Sequence, residues 1–539
     1  MQRCGRPTCL DDFLARFRAL GQSSRSLVVI YVISFIDSIA YFAFSYALII
    51  HLGKEVGLPD SLAGLFYGVF GVSISVAGLP LGFAVDWLGV RNSICASSAA
   101  SFVTHLGMAY AVLGRSSWLS ILILCAGVGP SVALMNPTIP IAIKRYTTKE
   151  TRDMAYTINY GIMNAAASVC MALLDLLRIY WGDNIVLLLP PYAMLIAFTG
   201  LLQLPIFFAA LFALRDEIMD DDTGELKGYV PPTSAMTVAQ RVRAVFGQSN
   251  FWKAVILVFC LMGARSAFRY FDALYLPYVN RAYQDAATFP YLMLLSMNPA
   301  ICIASTITGV ITIFTSRLQP VNAMILGTFI GGVAPFWMAV GPFITPIMLY
   351  VLFTTLGEIV WATVAYSYFM GLTTVGHEGA YSALAGLPTF MAKLLTGGLT
   401  GGLLSHYCPE HKDANGVVIP APPPQLWGSP EHCNGFMIWS IIGLTTVSSA
   451  LALFVCRKRI HYVPRPADSI TEADIELMVQ SKDGEEMTSR SLEPDADQSD
   501  TDQLTIPLVE PVTKGRDAFS EQDPIPIDVA AGAKMWMPQ

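Results

Sequence analysis

Twelve apolar runs of about twenty residues recur along this chain, separated by short polar connections. A bilayer core about 30 Å thick is crossed by roughly 20 helical residues, so each run has the length of a membrane span. The runs lack the apolar and polar alternation of a membrane barrel strand. In hydrocarbon a backbone has no water to bond, so every run is expected to close its own hydrogen bonds as a helix. Spans are expected near residues 27–50, 62–83, 94–113, 118–143, 154–177, 188–213, 254–276, 289–314, 321–340, 346–369, 380–404 and 436–456. The fold class is therefore all-α, a polytopic membrane protein of twelve transmembrane helices. Its solvent is the lipid bilayer, which a composition of 54% hydrophobic and 14% charged residues also demands.

A polar stretch from Arg215 to Asn250, with Asp220, Asp221, Asp222 and Pro231-Pro232, divides the spans six and six. The expected parts are a segment 1–26, a six-helix half 27–213, a central loop 214–253, a second half 254–456 containing a long loop 405–435, and a tail 457–539. With the amino terminus inside, the inner segments up to Arg459 hold 19 basic residues, whereas the outer loops hold only Lys54, Arg115, Arg178, Arg281 and Lys412. Both termini are thus expected in the cytoplasm, with the address either the plasma membrane or an endomembrane. No cleavable leader is expected, because the first apolar run is too long for one. The tail carries 9 basic and 17 acidic residues, against a formal charge of -7 for the whole chain. The membrane body is therefore near neutral. The tail's Pro- and Ser-rich acidic composition is that of a disordered segment, available to cytoplasmic partners. Nothing suggests a nucleic-acid partner.

Ten cysteines are scattered without metal-ligand spacing, and no cofactor or metal is expected. Only Cys408 and Cys433, at the two ends of one long outer loop, are placed to pair, and spacing alone leaves that disulfide open. Seven dispersed histidines offer no catalytic constellation, so no enzyme is expected.

Ionisable residues within the spans cost several kcal/mol unless paired or hydrated, so they are the first functional candidates. At about 1.5 Å per residue, Asp37, Arg265, Glu358 and Lys393 fall near the midplane of spans 1, 7, 10 and 11. Two acids and two bases at one depth read as a cavity with exchangeable ion pairs that binds substrate or couples protons; the alternative is a set of fixed salt bridges holding the halves together. Arg269 and Asp272, spaced i to i+3, read as a fixed pair. His105 reads as a packed histidine.

Prolines and polar residues inside spans suit the wall of a wet cavity. Span 4 holds Pro130, Asn136, Pro137 and Pro140; span 8 holds Asn298-Pro299. Tyr156, Tyr160 and Asn164 share one face of span 5, with Asn159 beside it, and this face serves either a polar solute or interhelical hydrogen bonds. Glycines at three- and four-residue spacing in span 2 (Gly64, Gly68, Gly71, Gly78, Gly82) and span 11 (Gly397, Gly398, Gly401, Gly402) read as surfaces for close helix packing.

The turn after span 2 runs Gly82-Phe-Ala-Val-Asp86-Trp-Leu-Gly89-Val-Arg91, which resembles the Gly-x-x-x-Asp-x-x-Gly-x-Arg signature of the major facilitator superfamily. The resemblance implies that fold over residues 27 to 456, and a gating role for Gly82, Asp86, Gly89 and Arg91. The equivalent turn after span 8, around Arg317, is degenerate. In the second half Gly357-Glu358, Tyr366-Ser-Tyr368 and His377-Glu378-Gly379-Ala-Tyr381 resemble the corresponding region of proton-dependent oligopeptide transporters. In that family a carboxylate here binds substrate and couples protons, which the resemblance carries to Glu358. The family's two-glutamate motif in span 1 is reduced here to Asp37, followed by Tyr41, and its span 4 lysine is missing. The function expected is a secondary active transporter of a small polar solute, coupled to protons and with oligopeptides among its substrates. Tyr41, Asn136, Tyr156, Asn159, Tyr160, Asn164, Asn298 and Tyr366 are expected to line the cavity. The alternatives are a facilitative carrier and a non-transporting nutrient receptor.

Overall fold

The computed structural model describes residues 24–114, 117–181, 188–220, 223–229, 249–308, 318–371, 378–411, 419, 421–429 and 431–460. The helices are α1 (Arg25–Glu55), α2 (residues 60–88), α3 (90–111), α4 (Ser117–Arg145), α5 (Lys149–Leu176 with a π-helical turn Leu177–Trp181), α6 (Pro191–Ala213) and α7 (249–282). They continue as α8 (Tyr291–Leu295 and Met297–Thr308), α9 (Pro320–Met338), α10 (Ile344–Gly371), α11 (Glu378–Tyr407) and α12 (Gly435–Cys456). Among the described residues ten helices are long and apolar enough to cross a membrane, and Tyr291–Ser305 of α8 is a shorter apolar helix. Large apolar side chains such as Phe212, Leu444, Leu451 and Val455 point outward, as lipid-facing residues should.

Some helix starts are capped by carboxylates from elsewhere in the chain. A helix start exposes unpaired N–H groups and a partial positive charge, which a carboxylate satisfies. Glu55, in the π-helical turn ending α1, accepts from the backbone N–H groups of Tyr192 and Ala193 at 2.8 and 2.7 Å and so starts α6. Asp175 of α5 accepts from Met293 N–H at 2.8 Å at the start of α8.

Helices α2 and α3 form one run broken at Gly89, whose φ of 80° and ψ of 169° lie outside the helical region. A side chain there would be strained, and its Cβ would stand 2.7 Å from Asp216 Oδ1. Asp216 follows α6 and accepts from Arg91 N–H at 3.1 Å, capping α3. Asp216→Ala removes this cap and is expected to cost about 1 kcal/mol, read as faster amide exchange at the start of α3; unchanged exchange would refute the capping role.

The segment after α6 is more ordered than a polar connection requires. Strands β1 (Glu217–Met219) and β2 (Leu226–Gly228) pair antiparallel. Glu217 accepts from Ser24 and Ser26 at the start of α1, the Arg145 guanidinium of α4 stacks 3.7 Å over Tyr229, and Tyr146 donates to the Arg215 carbonyl. The hairpin thus ties α1, α3 and α4 together at the end of the bundle where α6 finishes. At the opposite end Cys408 and Cys433 are joined by a disulfide that closes the loop between α11 and α12.

Candidate functional site

Two groups of buried charges lie where the first six helices meet the last six, and Arg269 links them. The first surrounds Asp272, which occupies a π-helical turn (Phe271–Tyr275) inside α7. Such a wide turn rotates the side chains that follow and recurs at functional sites. Asp272 Oδ2 accepts from Ser45 of α1 at 2.5 Å, from Tyr67 of α2 at 2.7 Å, and from Arg269 one turn earlier at 3.4 Å. Lys393 of α11, with no exposed surface, donates to Ser45 Oγ at 3.4 Å. Its ammonium lies 5.0 Å from the ring centres of Tyr41 and Tyr67 and 4.8 Å from that of Phe70. An aromatic face attracts a desolvated cation by about 2 kcal/mol, which offsets part of the cost of burying the lysine.

The second group surrounds Glu358 of α10, 4% exposed. Asn298 of α8 donates to Glu358 Oε2 and to Thr355 Oγ1, both at 3.0 Å. The Arg265 guanidinium stacks 4.7 Å over Trp361 of α10, and its Nε is buried without a hydrogen-bond partner. Arg265 and Glu358 are near enough to interact electrostatically, and the two are not hydrogen-bonded to each other among the described contacts. Tyr160 of α5 reaches the same place from the first six helices, beside Cys302 and within electrostatic range of Glu358, while Asn164 donates to the Tyr160 carbonyl at 2.9 Å. Arg269 interacts with both Glu358 and Lys393.

The sequence-derived candidates are therefore redistributed. Lys393 does not pair with Glu358: it joins Asp272 and the aromatic rings. The i to i+3 pair Arg269 and Asp272 is in contact, but as part of a larger network rather than by itself. Asp37 lies apart, within the first six helices, in a cavity lined by Tyr41, Phe44, Ser101, His105, Met135 and Gln203. Gln203 donates to it at 3.5 Å. His105 packs edge-on against Phe44 and bonds the Ser101 carbonyl at 2.7 Å. Tyr156 donates to the Pro140 carbonyl at 2.9 Å and so fills an interhelical role, and Asn159 contacts Met163 of its own helix. Asn136 is half-buried on α4. Beyond their place in a helix, Gly82, Asp86 and Tyr366 lie outside the described residues, as do Arg317, His377 and the tail from 461 to 539. Arg91 reaches the Leu211 carbonyl of α6 at 2.7 Å. Ser45, Tyr67, Cys302, Trp361 and Asp216 carry contacts that no spacing pattern signals, because each is defined by a partner on a different helix.

The two sets of helices are closed against each other at the disulfide-bearing end. Arg281 of α7 binds Asp60 at the start of α2 through two bonds of 2.8 Å and also donates to the Cys408 carbonyl. Arg178 of α5 binds Asp175 at 2.8 Å and the Phe289 and Ala286 carbonyls between α7 and α8. Lys54 lies 3.9 Å from Glu410. Three of the five basic residues expected in outer loops therefore bridge the first and last six helices. Between these ties runs a glycine seam: a Cβ on Gly64 would stand 2.8 Å from Gly401 N, one on Gly397 2.9 Å from Gly68 N, and one on Gly68 2.8 Å from Leu394 Cα.

Solved structures share this architecture at low sequence identity. A point mutant of the peptide transporter POT aligns with a TM-score of 0.59 and 13% identity, covering 80% of this chain and 94% of its own. A POT family transporter in complex with 5-aminolevulinic acid gives 0.59 and 14%, covering 81% and 97%. The nucleoside transporter NupG gives 0.54 and 15%, covering 81% and 100%. No curated protein matches the sequence. The model of the Major Facilitator Superfamily matches residues 30–397, more than half the chain. A sequence-family match of that extent, on a bundle of apolar helices with buried charges where its two sets of six meet, means that this chain belongs to the Major Facilitator Superfamily of membrane transporters.

Proposed function

We propose that the chain is a proton-coupled carrier of a small polar solute that bears an anionic group, with short peptides among its substrates. The observation that carries this reading is the arrangement of Arg265 and Glu358: opposite charges, buried and within electrostatic range of each other, one stacked on Trp361 and the other hydrogen-bonded to Asn298. Burying a cation and an anion that are not hydrogen-bonded to each other is costly, and the cost is recovered when a ligand supplies the missing partners. A carboxylate of the solute satisfies Arg265, and its donor groups meet Glu358, Tyr160 and Asn298. Glu358 then exchanges its proton as the solute enters or leaves. Short peptides, 5-aminolevulinic acid and other compact polar molecules have this chemistry, and structural similarity to a peptide transporter and to the complex with 5-aminolevulinic acid supports the choice. The protein alternates access by rocking residues 27–213 against 254–456, with both termini in the cytoplasm and the disulfide-bearing end outside.

The test is uptake into proteoliposomes of three labelled probes, a dialanine peptide, 5-aminolevulinic acid and uridine, with and without an imposed inward proton gradient. The expected result is accumulation of the peptide or 5-aminolevulinic acid above equilibrium only with the gradient. Gradient-independent equilibration would identify a facilitative carrier instead, and uptake of uridine alone would remove the anionic group from the substrate definition.

A further inference from the structure

We propose that Leu426-Trp427, in the disulfide-closed loop between α11 and α12, is a membrane anchor that seats in the lipid headgroup boundary beside the adjoining ends of α9 and α12. The inference needs neither the identity of the solute nor proton coupling.

The backbone here is held where its residues do not prefer to be. Trp427 has a φ of 68° and Gly428 one of 80°. Glycine accepts a positive φ, whereas for a residue as bulky as tryptophan it is a genuine outlier that persists only where the surroundings over-determine it. Those surroundings are present. Trp427 N–H donates to the Val340 carbonyl at 2.7 Å, Gly428 N–H turns back to the Gln425 carbonyl at 3.2 Å, and Cys433, joined to Cys408, donates through its N–H to the Ser429 carbonyl at 2.8 Å. The loop also lies so close to the turn between α9 and α10 that a Cβ on Gly341 would stand 2.6 Å from the Gln425 carbonyl oxygen. All this constraint turns two apolar side chains outward: Leu426 is 65% and Trp427 56% exposed. Apolar surface displayed to water forgoes the hydrophobic gain of burial, so a fixed display of this kind marks a contact outside the chain.

The level of the pair selects lipid as that contact. Val340 is the last residue of the ninth apolar run and Phe436 the first of the twelfth. Trp427 is bonded to the one through its backbone, and its ring packs edge-on against the other, with centroids 5.6 Å apart and planes at 90°. It therefore stands where two spans pass from hydrocarbon to water, the depth at which the amphipathic indole is favoured. Exposed apolar surface continues from it through Phe436 and Trp337 to Leu444 and Leu451 on the lipid-facing side of α12. Pro422 to Ser429 includes no charged residue, so entry into the boundary desolvates no ion. Arg281 donates to the Cys408 carbonyl at the base of this loop, so the anchor also steadies one side of the tie between α7 and the loop.

The test is the fluorine resonance of Trp427 in the full chain labelled with fluorotryptophan and placed in phosphatidylcholine nanodiscs. The signal is assigned as the one missing from Trp427→Phe and from Trp427→Gly, the glycine variant accepting the positive φ should the phenylalanine variant fold poorly. Three relaxation agents are added in turn: a phospholipid with a nitroxide at its headgroup, one with the nitroxide at the chain end, and a water-soluble gadolinium chelate. The headgroup nitroxide is expected to broaden the Trp427 signal several-fold more than either of the others. Strongest broadening by the chelate, which places the tryptophan in water, overturns the proposal. So does strongest broadening by the chain-end label, which places it below the boundary, and so does protection from all three, which places it against protein such as a second copy of the chain.

Discussion

Gly397→Ala is expected to destabilise the tightly closed state of the α2–α11 seam, whereas Gly398→Ala, one residue away, is expected to be silent. An added Cβ at Gly397 meets the Gly64 carbonyl oxygen and lies 2.9 Å from Gly68 N, both backbone atoms, while one at Gly398 meets nothing within 4 Å. Flexible side chains can step aside from an added methyl, but backbone atoms can do so only if the helix axis moves. Overpacking of this kind costs about 1–3 kcal/mol, which shifts the balance between closed and open forms by roughly fivefold to 150-fold. Gradient-driven uptake should fall accordingly, because a carrier that cannot close one end lets its solute leak back. Amide exchange in residues 60–70 supplies the structural readout. Equal uptake and equal exchange in the two variants would mean that the seam carries no closing force.

Glu358→Gln is expected to end accumulation while leaving equilibrating exchange of the same probe intact. Glutamine keeps the shape of the side chain and can still accept from Asn298, so the local packing survives. What it cannot do is take and release a proton. One pH unit across the membrane is worth about 1.4 kcal/mol per proton, so a one-proton symporter accumulates its solute up to about tenfold. The variant is expected to settle at equal concentrations inside and out. Counterflow under equal pH measures the exchange that should persist. Tenfold accumulation by the variant would remove Glu358 from coupling, and loss of counterflow together with accumulation would point to a purely structural role.

The positions of the helices were legible in the chain because the bilayer imposes a one-dimensional requirement. About twenty apolar residues make a span wherever they occur, and α12 follows its apolar run to within one residue at its start and ends where the run ends. The turn at Gly89 was legible for a similar reason, since a residue with positive φ must sit within a short local motif. The hairpin after α6 was not, because its three-residue strands are held by Ser24, Ser26, Arg145 and Tyr146, all distant in sequence.

By itself the sequence determined that the chain crosses a membrane and where most of its helices run, since a span is set by the length of one apolar run. Tertiary structure decided which charges meet. Lys393 and Glu358 are expected at one depth from their positions in the runs, yet one faces Ser45 and three aromatic rings and the other Asn298. The direction in which a side chain leaves its helix, and the neighbour it finds there, depend on how twelve helices pack around one another, and the residues of any single span do not specify that packing.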